Sequence, residues 1–148
     1  MGELNFQTGR KEYTVNGGVQ ITFEPADIKF ANAIIAAFGN CADISRNANI
    51  ADLATIEEAC AATIKLDKDI RAEINRAFGY DVCSLVFPDL SVIAVADGLP
   101  VWANFLMAIV DEIDTHSGNV FVGQAKTKER VQKYLDKYSA KRDKYRRA

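Results

Sequence analysis

The chain reads as an α+β protein, mostly α: an N-terminal β-hairpin packed on a four- to five-helix body, followed by a basic C-terminal helix. Three observations predict this. Two alternating polar/apolar runs flank Asn16-Gly17-Gly18, and Asn-Gly tolerates the positive φ angles of a tight hairpin turn. After Pro25 the apolar residues recur with helical rather than strand spacing. From Lys126 onward ten Lys/Arg face three Asp/Glu, whereas residues 1–125 carry eight basic and seventeen acidic residues. The overall charge of −2 hides an acidic body (1–125) and a basic extension (126–148) of one 148-residue domain.

The hairpin strands are Lys11-Glu12-Tyr13-Thr14-Val15 and Val19-Gln20-Ile21-Thr22-Phe23. Tyr13, Val15, Val19, Ile21 and Phe23 share one face. A lone two-stranded hairpin is marginal in water, so that face must pack on something. Leu4 and Phe6 also alternate, which leaves room for a third short strand.

The first helix is expected to start at Pro25, whose missing N–H costs nothing there, with Asp27 favouring the positive dipole end. Ile28, Ala31, Ile35 and Phe38 form one face, Ile34 lies beside it, and Gly39 is the expected stop. A second, long helix is expected from a cap at Asn47 or Asn49 to Phe78, with Gly79 as its stop. Its apolar stripe is Leu53, Ile56, Cys60, Thr63, Ile70, Ile74 and Phe78, and Asp67–Arg71 is an i,i+4 pair on the wet side. Asp81 can cap a short helical turn closed by Pro88. Leu90 to Val95 is an apolar run that periodicity assigns neither to strand nor to buried helix. Asp97-Gly98 marks a turn. Pro100 then starts a helix through Trp102, Phe105, Leu106, Ile109 and Ile113, apolar over most of its circumference and hence the expected core helix. The last helix starts near Gln124, and Val131, Leu135, Tyr138 and Tyr145 make a heptad-like seam along it.

Composition narrows the function. No stretch approaches the roughly 20 apolar residues that cross a bilayer. The opening Met1-Gly2-Glu3-Leu4-Asn5 lacks the basic and apolar regions of a signal peptide. Cys41, Cys60 and Cys83 are odd in number and share no short spacing, which argues for reduced, buried thiols rather than a disulfide framework. The lone histidine, His116, follows Asp111, Glu112 and Asp114, but a helix-terminal cap and a solvated face explain these residues without catalysis or metal. Gly17-Gly18 lies in a hairpin, not between strand and helix, so no phosphate loop is present. Trp102 sits inside an apolar run and reads as core. The expectation is a binding protein: no enzyme, no metal, no cofactor.

A basic tail has three readings. It can be a solvated helix, a nucleic-acid arm through its charge and tyrosines, or a partner helix through its seam. Glu129, Asp136 and Asp143 oppose phosphate binding, so a protein partner ranks first and nucleic acid third. Phe30, Ile34 and Phe38 on the first helix, with Val131, Leu135, Tyr138 and Tyr145 on the last, are the expected gripping residues. Lys133, Lys137, Lys141, Arg142, Lys144, Arg146 and Arg147 supply the attraction.

With these segments placed, the chain resembles the small tail assembly chaperones of long-tailed phages and prophages of Gram-positive bacteria. The residues that carry the likeness are the stretch Leu4 to Gly17, the strand ending Ile21-Thr22-Phe23-Glu24-Pro25, the Phe78-Gly79-Tyr80-Asp81 junction before Phe87, Pro100 to Ile109 around Asn104-Phe105-Leu106, and the basic end Arg146-Arg147-Ala148. The Ala/Cys-rich stretch Asn40 to Ala62 departs from the usual pattern. The resemblance implies a non-catalytic protein of the host cytoplasm. It would keep the long, apolar tape measure protein soluble, help recruit tail tube subunits, and exist also in a longer frameshifted form. Apart from the resemblance, an exposed strand edge and the heptad-like tail both permit self-association. The alternatives are a structural tail or connector subunit joined through the hairpin edge, and a small nucleic-acid-binding protein acting through the tail.

Overall fold

A computed structural model describes residues 1–48, 55–117 and 131–138. The protein is α+β, mostly α. Its order is β1 (Lys11–Thr14), β2 (Gln20–Phe23), α1 (Ile28–Asn47), α2 (Ile56–Phe78), α3 (Val82–Val86), β3 (Val95–Ala96), β4 (Leu99–Pro100), α4 (Val101–Ser117) and α5 (residues 131–138).

The hairpin forms as the sequence predicts. β1 and β2 are antiparallel, with Tyr13 opposite Ile21 and Glu12 opposite Thr22. The Gly18 N–H donates to the Val15 carbonyl across a turn whose central residues, Asn16 and Gly17, both have positive φ. Such a turn matches the twist of the strands. Ile21 and Phe23 are buried against the helices. Leu4 and Phe6 stay exposed, and residues 1–10 join no strand, so the optional third strand is absent.

Pro25 lies in a turn, not in α1: the Asp27 N–H donates to the Glu24 carbonyl, which puts Pro25 at the turn position where its fixed φ fits. Asp27 itself is the N-cap and accepts from the Lys29 N–H at 2.9 Å. α1 runs straight through Gly39. A stop there needs a left-handed glycine, and Gly39 is not among the positive-φ residues. It is buried between Phe38 and Cys41 on the core face, so packing overrides its poor helix propensity.

Because α1 reaches Asn47, neither Asn47 nor Asn49 caps α2. Asn47 belongs to α1, and Asn49, like Leu53, lies outside the described residues. Thr55 is the cap, accepting from the Glu58 N–H at 3.0 Å. The end is as expected: Gly79 has φ 81° and donates to the Asn75 carbonyl. Only Leu66, Ile70 and Ile74 of α2 are buried. The first turns stand clear of the core, and this exposes Cys60, contrary to expectation.

Asp81 caps α3 through the Ser84 N–H. Leu90 to Val95 is neither strand nor helix for most of its length; a turn through Val92 and Ile93 leads into the two-residue strand β3. Asp97 and Gly98, both at positive φ, turn the chain into β4. Pro100 ends β4, and α4 starts one residue later. The first amides of α4 are satisfied from that loop: the Val101 N–H donates to Ala94 and the Trp102 N–H to Val92.

α4 is the core helix, with Trp102, Leu106 and Ile113 fully enclosed. α1 packs on α2 and on α4, and α3 on α2 and β2. A run of rings ties the hairpin to the helices. Tyr13 stacks on Phe23 at 4.4 Å, Phe23 on Phe30 at 5.1 Å, and Phe30 meets Phe78 edge-on at 5.2 Å. Phe78 then stacks on Phe105 at 5.8 Å. α5, expected to extend away, instead lays Val131 and Tyr134 into the core beside Phe38 and Trp102.

Candidate polypeptide-binding surfaces

The residues expected to grip a partner are mostly used by the protein itself. Ile34 and Phe38 have no exposed surface, so they cannot line an open groove. A helical period identifies an apolar face but not what covers it. Phe30 is half-buried in the column of rings. On α5, Val131 is enclosed, while Leu135 and Tyr138 are half-buried against the core. The Tyr138 hydroxyl donates to Asp111 Oδ2 at 3.0 Å. Lys133 and Lys137 point outward. Lys133 lies 5.0 Å from the centre of the Tyr134 ring, and Lys137 Nζ is 3.5 Å from the Gly98 carbonyl. Lys141, Arg142, Lys144, Tyr145, Arg146 and Arg147 lie outside the described residues.

Three surfaces remain open. The first is a cleft of about 620 Å³ between the C-terminal half of α1 and the middle of α2. Its apolar lining is Ile44, Ala48, Ala62 and Leu66. Charged side chains stand at its rim in local pairs: Lys65 with Asp69 at 2.6 Å, Arg46 with Asp43 at 3.3 Å, and Arg76 with Glu73. Asn40 Nδ2 also donates to Glu73 at 2.7 Å. Behind this wall, burial and the nearby Glu73 push the Cys41 thiol well above its ordinary range.

Exposed aliphatics stand elsewhere on α2, outside the lining of the cleft. Ile56 is 83% and Ile64 70% exposed, and Leu90 lies beside Ile64 across a shallow recess. Ile56, expected on the apolar stripe of this helix, is exposed because the first turns of α2 stand clear of the core. Ile64 escaped the sequence analysis, although a signal was there. Ile64 lies two residues before Leu66, about 200° round the helix at 3.6 residues per turn, so it is a large apolar residue out of phase with the buried stripe.

The second surface is a pocket of about 220 Å³ between the inner face of the hairpin and α4, lined by Val15, Ile21, Phe23, Phe105 and Ile109. Polar groups close one side. The Tyr13 hydroxyl donates to Glu112 Oε1 at 2.9 Å, His116 Nε2 sits 3.0 Å from the same oxygen, and Lys11 Nζ lies 3.4 Å from His116 Nε2. Burial and the Glu112 carboxylate hold the Tyr13 hydroxyl protonated well above its usual pKa. The third surface is the outer edge of β1. On β2, the Tyr80 hydroxyl lies 3.3 Å from the Thr22 amide and donates to the Thr22 carbonyl at 3.0 Å, so Thr22 turns its backbone away from β1. Its opposite number, Glu12, must then turn its own backbone outward.

Among the described residues no three His, Cys, Asp or Glu side chains converge to hold a metal ion, and no helix is long and apolar enough to cross a membrane. The arrangement offers apolar recesses with charged rims, which suit the side chains of another polypeptide. Comparison with protein-family models, curated proteins and solved structures found no match to the chain.

Proposed function

We propose that this protein is a holding chaperone for an apolar helical client, and that the client is the tape measure protein of a phage tail, with tail tube subunits recruited in turn. The observation that carries the reading is the α1–α2 cleft with its apolar lining, to which α2 adds the exposed Ile56 and Ile64 on another part of its surface. A cleft of that form takes the apolar stripe of an amphipathic helix. Each large aliphatic side chain that a client buries contributes about 1.5–3 kcal/mol, so a few such contacts along a long client give reversible holding. The paired charges at the rim stay solvated and keep the unloaded cleft from collapsing onto itself. The phage assignment rests on the sequence resemblance alone. The test is co-expression in a bacterial cytoplasm: the tape measure protein should be soluble with this chain present and aggregate without it. Equal solubility in both cases would sink the proposal.

One observation favours a second reading, a tail or connector subunit of the finished particle. The outward backbone of Glu12 leaves β1 able to accept a strand from a neighbour. Purified particles decide between the two: a structural subunit is present at a fixed ratio to the tube protein, and a chaperone is absent.

A further inference from the structure

We infer that the groove between α1 and α4 now filled by α5 is a second client seat, and that α5 occupies it as a displaceable stand-in for a client helix. The inference rests on the holding function proposed above, and it adds both a site and the kind of segment that the site takes.

The occupant defines the partner. Val131, Tyr134, Leu135 and Tyr138 stand at i, i+3, i+4 and i+7, the spacing of an amphipathic helix lying in a groove. Val131 and Tyr134 enter the groove, where the Tyr134 ring meets Trp102 at 5.1 Å and Phe38 at 5.8 Å. Tyr138 reaches Asp111 at the groove's end. The opposite face of α5 carries Gln132, Lys133, Asp136 and Lys137, all exposed. Lys137 Nζ lies 3.5 Å from the Gly98 carbonyl, and Lys133 lines the same shallow recess beside Leu99 and Pro100. The seat therefore fits a helix with a β-branched residue, an aromatic three positions on, and a second hydroxyl-bearing aromatic four beyond that.

Two features make α5 removable. Val131, Tyr134, Leu135 and Tyr138 hold it in place, and the order of a single helix depends on such a seat. The fit is also incomplete. Among the described residues Trp102 Nε1 is enclosed with no hydrogen-bond partner, so the described part of the occupant leaves a buried donor unsatisfied. A client helix that brings an acceptor to this point makes the better occupant.

The experiment uses the full chain and a fluorescent synthetic peptide copying residues 128–141. Val131→Asp and, separately, Tyr134→Ser unseat α5. Each variant should bind the peptide at least about tenfold more tightly than the wild type does, because the internal competitor no longer holds the seat. The same peptide carrying V131D should not bind. Trp102, the one tryptophan of the chain, reports the change directly: its emission shifts to the red on unseating and returns when the peptide binds. Equal affinity of wild type and variants, or no binding to either, overturns the inference. So does global loss of helical signal in both variants, because a vacated seat must leave the body standing. The peptide assay needs no tape measure protein, so its failure is distinct from failure of the co-expression test.

Discussion

Arg71 sits one turn beyond Asp67 on α2, its Nε 2.9 Å from Asp67 Oδ2, and the pair clamps the whole segment between α3 and α4. Arg71 donates to the carbonyls of Phe87 at 2.8 Å and Leu90 at 2.6 Å, and more distantly to Cys83. Asp67 accepts the Val92 N–H at 2.7 Å. Both side chains are about a quarter exposed, 22% and 24%. The pair is thus a tie between elements rather than a solvated surface pair.

Arg71→Met removes the fork and leaves those carbonyls short of a donor. Charge-assisted bonds of this kind contribute about 1.5–3 kcal/mol, so the variant should lose about 2 kcal/mol in urea unfolding after allowance for partial exposure. Asp67→Asn should cost less, because the amide oxygen still accepts from Val92. A double-mutant cycle should return a coupling of about 1 kcal/mol or more. Strict additivity would show that the two side chains act separately.

Tyr80 fastens the hairpin to the helices through both backbone groups of Thr22. Tyr80→Phe keeps the ring against Phe78 and loses only the hydroxyl. The expected cost is about 0.5–1.5 kcal/mol. The local effect should be larger than the global one: amide exchange in β2 should quicken while the amides of Ile70 and Ile74 remain protected. Uniform loss of protection would mean that the hairpin and the helical body open as one unit.

How much of this was legible follows from range. Asn16-Gly17, Asp97-Gly98, Asp81 and Gly79 act within a few residues, and each does what local chemistry dictates. Gly39 gives the same local signal and is overruled by burial on the core face of α1. Asp67 and Arg71 were visible as a pair, but their acceptors and donors lie 12 to 25 residues away, beyond any periodicity. The same limit governs the candidate site. The seam Val131–Leu135–Tyr138 was read correctly as an apolar face, and only the fold reveals that its nearest partner is the chain itself. Ile64 was legible as an anomaly in phase, because an isoleucine opposite the buried stripe has no core to fill.

The three cysteines divide by accessibility. Cys41 and Cys83 are buried and Cys60 is exposed. A thiol reagent added to the native protein at pH 8 should modify one equivalent promptly, and Cys60→Ser should abolish that fast phase. The other two should react only after global unfolding, because burial keeps both in the unreactive protonated form. A second fast equivalent would show that α1 or α3 opens locally.

The same burial predicts alkaline instability. Burial pushes the Cys83 thiol from its ordinary value of 9.0 up to about 12, and Cys41 and Tyr13 are raised as well. A raised folded-state pKa means that the native chain keeps a proton that the unfolded chain has lost. Stability is therefore complete below about pH 9 and falls as pH climbs from 9 toward 12. Denaturant midpoints measured at pH 8, 9, 10 and 11 should decline steadily. Cys83→Ala should flatten the slope. A flat profile in the wild type would contradict the enclosed thiols.

Function and fold separate most cleanly at Ile56 and Ile64. Both are exposed, 83% and 70%, and neither belongs to the buried core. Replacing either with Asp removes no packing and buries no charge, so the unfolding free energy should stay within about 0.5 kcal/mol of wild type. The folded body would be unchanged while its grip is altered, because a carboxylate on this exposed surface of α2 must be desolvated when a client helix settles across it. Soluble client in co-expression should therefore fall sharply for Ile56→Asp/Ile64→Asp. Ala108→Asp, an exposed change on α4 beside the other pocket, should leave it intact. Equal client solubility for the double variant and wild type would remove the α2 surface from the holding site, and a matching loss with Ala108→Asp would move that site to the hairpin side of the molecule.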